Sequence, residues 1–189
     1  DVIIRDKMII FFGPVGAGKS VQGQMLADKM GWSWLSTGQM FRESTNPDVI
    51  EILKSGELMS DEKTFLVVQE AFENHKDAKR VIVDGFPRTE PQAKWLFDEA
   101  GQLGREVAMV ISLEVPDEEI YARLSSRGRD EDTPETVTRR MEIYRSAMKP
   151  ITQLFEAHDV EIAQIDGTGT VEEIHERIYA AVKNSQAIE

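Results

Sequence analysis

The chain contains no cysteine in its 189 residues, and acidic side chains outnumber basic ones. Without cysteine it can form neither disulfide bonds nor thiolate zinc sites. The 22 lysines and arginines against 34 aspartates and glutamates give a net charge of −12. This charge argues against a broad basic surface that binds polymeric nucleic acid, although a local cluster of arginines could still bind a small anion.

Long apolar runs are also missing. No run approaches the length needed to span a membrane, and no signal peptide precedes the first predicted strand. We therefore expect a cytoplasmic protein that does not bind membranes. The composition, 41% hydrophobic and 30% charged residues, is otherwise typical of a globular protein. We expect one domain covering residues 1–189 and acting as a monomer.

Residues 8–24 organise the chain, because they read as an apolar strand, a glycine-rich turn and the start of a helix. The turn matches G-x-x-x-x-G-K-[ST] through Gly13, Gly18, Lys19 and Ser20. Glycines let backbone N–H groups surround phosphate oxygens, and the helix N-terminus attracts the same anion. Lys19 supplies a charge for the outer phosphates and Ser20 a hydroxyl for Mg²⁺. The alternative is a glycine-rich turn without a ligand, but the strand–turn–helix context favours phosphate binding. The predicted phosphate-binding residues are Gly13, Gly16, Ala17, Gly18, Lys19, Ser20 and Val21.

Apolar runs and turn signals predict five strands that alternate with helices. The strands are predicted at residues 8–12, 32–35, 80–84, 106–113 and 160–165. The helices are predicted at about 19–30, from 36 or 37 past 42, 48–54, 60–75, 89–103, 116–125, 134–157 and from 170 onward. This alternation predicts an α/β fold, a parallel five-stranded sheet with helices on both faces. Ligands then bind at the carboxyl ends of the strands, where the glycine-rich turn lies.

Asp84 ends the predicted strand at 80–84. An acidic residue at that place would lie beside the phosphate-binding turn and could hold Mg²⁺ or its waters. The alternative is an aspartate that caps the next turn. Together with the glycine-rich turn, the metal interpretation is favoured.

Further motifs follow the turn in a fixed order. They are Thr37-Gly38-x-x-x-Arg42, Gly56-Glu57-Leu58-Met59, Asp84-Gly85-Phe86-Pro87-Arg88 with Gln92, Arg123 with Arg127, Arg129-Asp130-Glu131-Asp132, and Arg140. The ordered set resembles the nucleoside monophosphate kinases, and within them the short-lid adenylate kinases, over about residues 8–182. The resemblance implies a P-loop NTPase-type fold with a small helical NMP-binding insert at about 37–76 and a short lid at about 126–133.

The resemblance also implies a phosphotransferase that moves the γ-phosphoryl group of ATP to AMP with Mg²⁺, giving two ADP. Its implied AMP-binding residues are Thr37, Gly38, Arg42, Leu58, Met59, Gly85, Arg88 and Gln92. Gly167 is placed near the donor adenine, and Ser20 and Asp84 at the metal. The implied catalytic residues are Lys19, Arg88, Arg123, Arg127, Arg129 and Arg140. Any one arginine could instead be a solvated surface residue, but guanidinium groups bind phosphate bidentately and stay charged.

The chain departs from the family pattern at three places. Ser20 replaces a glycine after the lysine, Gln39 replaces an acidic residue, and the lid is several residues shorter than the family's short form. Two alternatives therefore stay open: a kinase for UMP, CMP or another monophosphate, and a nucleotide-binding module that has lost catalysis. Thr37 and Gln92 favour AMP as the acceptor. The acidic run at 130–132 is interpreted as a solvated face, with pairing to basic residues on lid closure as the alternative.

Overall fold

Five strands form the centre of the molecule in the computed structural model, which describes residues 5–188. The strands are β1 (Asp6–Phe12), β2 (Ser33–Ser36), β3 (Arg80–Asp84), β4 (Arg105–Glu114) and β5 (Glu161–Asp166). All neighbouring pairs are parallel, in the order β2-β3-β1-β4-β5. The predicted five-stranded parallel sheet is therefore confirmed, with strand ends within two residues of the predicted ones.

Helices cover both faces of the sheet because the central strand is apolar on both sides. Along β1, Met8 and Ile10 belong to one core cluster, whereas Ile9 and Phe11 belong to the other. Successive side chains of a strand point to opposite faces. The continuous apolar run is therefore the signature of a strand that is buried twice.

The helices within residues 5–188 mostly begin after residues that are typical helix caps. They are α1 (Lys19–Met30), α2 (Thr37–Arg42), α3 (Pro47–Ser55), α4 (Asp61–Asn74), α5 (Glu90–Ala100), α6 (Asp117–Arg127), α7 (Pro134–Ala157) and α8 (Val171–Asn184), followed by a short 3-10 helix at Gln186–Ile188. Thr170 and Glu173 form a capping box at α8. At α5, Thr89 caps the helix, but the Gln92 side chain accepts from the backbone N–H of Arg88 and does not complete a capping box.

The order of the strands determines which loops come together at the site. β1 pairs with β3 on one side and β4 on the other, and Phe11 lies opposite Asp84 across the first pair. Because all strands run parallel, the segments that follow β1, β3 and β4 meet at one edge of the sheet. The helices α2, α3 and α4 lie between β2 and β3 in the chain, in the segment predicted as an insert. None of the helices in residues 5–188 is long and apolar enough to cross a membrane.

Candidate active site

The turn at residues 13–20 requires glycine at definite positions. Gly16 and Gly18 have φ angles of 78° and 96°, a region that L-residues rarely adopt. A Cβ on Gly16 would lie 2.9 Å from Cγ of Leu124 in α6, so the close approach of α6 excludes a side chain there. Gly18 precedes α1 and has no side chain with which to cap it. The first N–H groups of α1 therefore remain available for an anion.

Lys19 folds back across the turn. Its Nζ donates to the carbonyl oxygens of Gly13 and Pro14 at 2.7 and 2.9 Å. Desolvation lowers the pKa of Lys19 to about 8, the Asp84 carboxylate opposes this shift, and the nearby guanidinium of Arg88 adds to it. Burial and the neighbouring guanidinium group thus outweigh Asp84 and favour the neutral form of Lys19, and an incoming phosphate would restore the preference for the charged form.

Ser20 and Asp84 place a hydroxyl and a carboxylate side by side beside the turn. The Ser20 hydroxyl donates to Oδ2 of Asp84 at 2.6 Å. No cluster of three or more potential metal ligands occurs among residues 5–188, so a full protein cage for a cation is not present in that range. A hydroxyl and one carboxylate nevertheless fit Mg²⁺, which prefers oxygen ligands and usually keeps waters and substrate phosphates.

The turn opens into a cavity of about 480 Å³ that is lined by the ends of β1 and β3, by the segment 36–64, and by α6 and α7. Every residue predicted for the site lines this cavity except Thr37 and Gly167. The lining combines cationic groups with an apolar wall that includes Leu58, Met59 and Tyr144. Such a space can hold flat apolar rings at its walls and anionic groups at its floor.

The two exceptions have structural contacts behind the cavity wall. Thr37 is buried, and its hydroxyl donates to the carbonyl oxygen of Gly85 at 2.9 Å. The carbonyl oxygen of Gly167 accepts from Nη2 of Arg123 at 2.6 Å. In that turn it is Gly169 that lines the cavity. The sequence alone offered no signal to choose Gly169 over Gly167.

The arginines come from five different segments. Arg42 ends α2, Arg88 follows β3, Arg123 and Arg127 lie on α6, Arg129 lies between α6 and α7, and Arg140 lies on α7. Arg88 is positioned by its own loop, since its Nε donates to the Gly85 carbonyl oxygen at 2.8 Å. The helices and the sheet edge thus bring together cations that are up to 98 residues apart in sequence.

Their electrostatics are those of a site prepared for an anion. Burial lowers the pKa of Arg42 and of Arg140 below the ordinary value. The guanidinium of Arg129 lowers the first pKa further, whereas the Glu131 carboxylate opposes the lowering of the second more than the Arg88 guanidinium adds to it. Neighbouring positive charges repel one another here, so a bound anion would remove a repulsion as well as form hydrogen bonds.

Arg123 makes contacts of a different kind. Its guanidinium donates to the carbonyl oxygens of Ala17 and Gly167, at 3.3 and 2.6 Å, and to Glu119 on its own helix at 3.0 Å. It therefore connects the glycine-rich turn to the turn after β5. Gln22 makes a parallel connection, because its Nε2 donates to the Val171 carbonyl oxygen at 2.9 Å.

The segment predicted as a lid is shorter than expected and is already anchored. α6 continues through Arg127, so the irregular segment is 128–133. Arg127 donates to both oxygens of Asp132 at 2.7 and 2.5 Å, and Arg140 lies 3.7 Å from the same carboxylate. The Asp132 side chain is only 1% exposed. The interpretation of the acidic run as a solvated face is therefore wrong for Asp132, whereas Asp130 is exposed.

Gln39, the departure from the family that raised doubt about catalysis, lies outside the cavity. Its side chain is exposed, and Nε2 donates to Glu43 at 2.7 Å.

A residue that sequence reasoning missed is Asp61, which accepts from both Thr89 and Gln92. Its only sequence signal was an acidic residue at the start of a helix.

The chain is similar to one family over most of its length. A family model described as adenylate kinase matches residues 11–160. An adenylate kinase of Thermus thermophilus is 38% identical over 184 residues, which cover 92% of this chain and 96% of that protein. An adenylate kinase of Parabacteroides distasonis is 33% identical, with 93% and 97% covered, and one of Mycobacterium ulcerans is 32% identical, with 92% and 98% covered.

Proposed function

The chain belongs to the adenylate kinase family, and we propose that it transfers the γ-phosphoryl group of ATP to AMP in the cavity above the glycine-rich turn. The observation that carries this proposal is the convergence of one lysine and six arginines on a single cavity in a protein of net charge −12. Two nucleotides that exchange a phosphoryl group concentrate negative charge at one place. Catalysis then consists of positioning the substrates and neutralising that charge.

The donor nucleotide takes the side of the cavity formed by residues 13–21. Backbone N–H groups of the turn and the ammonium group of Lys19 bind the phosphates of ATP. The turn after β5, through Gly169 as well as Gly167, borders the donor base. Arg123 serves this half by joining that turn to Ala17.

Ser20 and Asp84 are the residues that would hold Mg²⁺. Bound there, the cation would neutralise charge on the phosphate oxygens. The hydrogen bond between the two side chains keeps both oxygens beside the turn.

The acceptor nucleotide takes the side formed by α2, the segment 56–59 and the loop after β3. Arg42 and Arg88 orient the phosphate of AMP, and Gln92 faces its adenine. The residues proposed for this half are Thr37, Gly38, Arg42, Leu58, Met59, Gly85, Arg88 and Gln92. Thr37 acts through its hydrogen bond to Gly85.

Transfer takes place between the two halves. Arg127, Arg129 and Arg140 enclose the moving phosphoryl group from the side of α6 and α7, and their fixed charges compensate the charge that develops there. The insert at 37–76 and the lid at 128–133 close over the substrates and exclude water. ATP, ADP and AMP are then the partners of this chain, and its cytoplasmic location and monomeric state stay predictions.

An acceptor panel tests the proposal. The protein is incubated with ATP and Mg²⁺ and with AMP, UMP, CMP or no acceptor, and ADP is followed by a coupled assay. We expect AMP to react at least about tenfold faster than UMP, because the amino group and ring nitrogen of adenine match the donor and acceptor that Gln92 offers, whereas the edge of uracil does not. Faster reaction with UMP or CMP would contradict the choice of acceptor. Tight nucleotide binding in a calorimetric titration without ADP formation would contradict catalysis itself.

A further inference from the structure

Asp61 lies where the N-termini of α4 and α5 meet. It is the first residue of α4, and its Oδ1 accepts from the Thr89 hydroxyl and from Nε2 of Gln92, both at 2.9 Å. Thr89 caps α5, and its hydroxyl accepts from the backbone N–H of Gln92 at 3.2 Å. One carboxylate therefore connects the last helix of the insert to the side chain that we assign to the acceptor base.

These contacts fix the orientation of the Gln92 amide. A carboxylate can only accept hydrogen bonds, so the amide nitrogen must face Asp61. On the other side, Oε1 of Gln92 accepts from the backbone N–H of Arg88 at 2.7 Å, and a backbone N–H can only donate. The two neighbours thus agree on one of the two possible amide orientations. Gln92 is 2% exposed and lines the cavity, so the amide is held firmly at the wall.

The fixed amide keeps one hydrogen on Nε2 and one lone pair on Oε1 for a ligand. A donor then stands beside an acceptor. The edge of a 6-aminopurine presents an acceptor at N1 beside a donor at its amino group, which complements this pair. A 6-oxopurine presents a donor at N1 beside an acceptor at O6, which complements only the reversed amide.

We propose that Asp61 is a positioning residue for acceptor recognition, because it holds the Gln92 amide in the orientation that selects a 6-aminopurine monophosphate over a 6-oxopurine monophosphate. This inference rests on the proposed function, since Gln92 must face the acceptor base. Asp61 itself does not touch the substrate. Its removal therefore changes the choice of acceptor while the donor half keeps its affinity for ATP.

The test compares AMP with IMP as acceptors in the wild type, Asp61→Ala and Asp61→Asn. We expect Asp61→Ala to raise KM for AMP about tenfold and to reduce the kcat/KM preference for AMP over IMP by about tenfold, with KM for ATP within about twofold. Asp61→Asn should recover most of the preference, because its amide oxygen can accept the same two hydrogen bonds. Glu62→Ala is the matched control, since it removes an exposed carboxylate from the same helical turn.

A second pair of variants separates this inference from the proposed function. If Gln92→Ala leaves the AMP preference unchanged, Gln92 does not read the acceptor base and both assignments fail. If Gln92→Ala lowers the preference but Asp61→Ala does not, only the role of Asp61 is overturned. The role of Asp61 is also overturned if Asp61→Ala lowers the preference for AMP over IMP further in a Gln92→Ala background, because Asp61 would then act by a route that does not include Gln92. Should Asp61→Ala fail to fold, Asp61→Leu takes its place, since leucine is close in size to aspartate and cannot accept a hydrogen bond.

Discussion

The two halves of the cavity are held together in different ways. In the donor half, Lys19 bonds to carbonyl oxygens only five and six residues away, and the positive φ angles of the glycines shape the turn. In the acceptor half, long-range contacts dominate. Thr37 bonds to Gly85, 48 residues on, and Gln92 bonds to Asp61. The glycine-rich turn of the donor half is thus a local structure that Arg123 and Gln22 connect to the turn after β5, whereas the acceptor half exists only when several distant segments are in place.

The largest effect should follow from removing a cation of the acceptor half. We expect Arg88→Ala to lower turnover by about 100- to 1000-fold, because it removes a guanidinium that lines the cavity and that we propose to orient the AMP phosphate. Steady-state kinetics with ATP and AMP measure this. Arg145→Ala is the control, since Arg145 pairs with Asp117 at the exposed surface, and its activity should stay within about twofold. A loss below about twofold in Arg88→Ala would count against its assignment.

The ion pairs of Asp132, in the segment predicted as a lid, should give the next largest effect. In Asp132→Asn the neutral amide no longer balances Arg127 and Arg140, so we expect the free energy of unfolding to fall by about 2–3 kcal/mol. Asp130→Asn removes the same charge from an exposed position nearby and should change stability by less than about 0.5 kcal/mol. Urea titrations of both variants make the comparison. Equal losses would mean that the acidic run acts through its total charge, without a specific bond from Asp132.

The sequence predicts the glycine-rich turn of the donor half better than the contacts of the acceptor half. The reason is that the turn depends on residues close in sequence, whereas those contacts join distant segments. The glycine spacing at 13–18 and the apolar run before Asp84 encode local geometry, so the turn, the strands and the sheet could be predicted. The burial of Asp132 and the hydrogen bond that Asp61 accepts from Gln92 depend on where other segments lie in space. No local pattern distinguishes such a carboxylate from a solvated one. The order of the arginine motifs pointed to the cavity only through the resemblance to a family.

The tight packing of the donor half can be tested by adding one methyl group. We expect Gly16→Ala to lower the free energy of unfolding by about 2 kcal/mol, because a Cβ there meets Leu124 and the φ of 78° is unfavourable. Gly31→Ala is the matched control at a φ of 68° with open space around it, and it should cost only about 1 kcal/mol. Denaturant unfolding of the two variants gives the difference. Equal costs would show that backbone strain alone matters and that α6 does not constrain the turn.

The smallest predicted effect is a difference in pH dependence between the ATP affinity of the donor half and the AMP affinity of the acceptor half. The pKa of Lys19 is lowered to about 8, so the empty site loses this positive charge as the pH rises through 8. Phosphate binding favours the protonated form, and the affinity for ATP should therefore fall by up to about tenfold per pH unit above 8. The guanidinium groups of the acceptor half remain charged throughout this range, so the affinity for AMP should stay nearly constant. Calorimetric titrations with a non-hydrolysable ATP analogue and with AMP between about pH 7 and 9.5 test this. Parallel weakening of both ligands would contradict the separation, because it would mean that one titrating group serves both halves of the cavity.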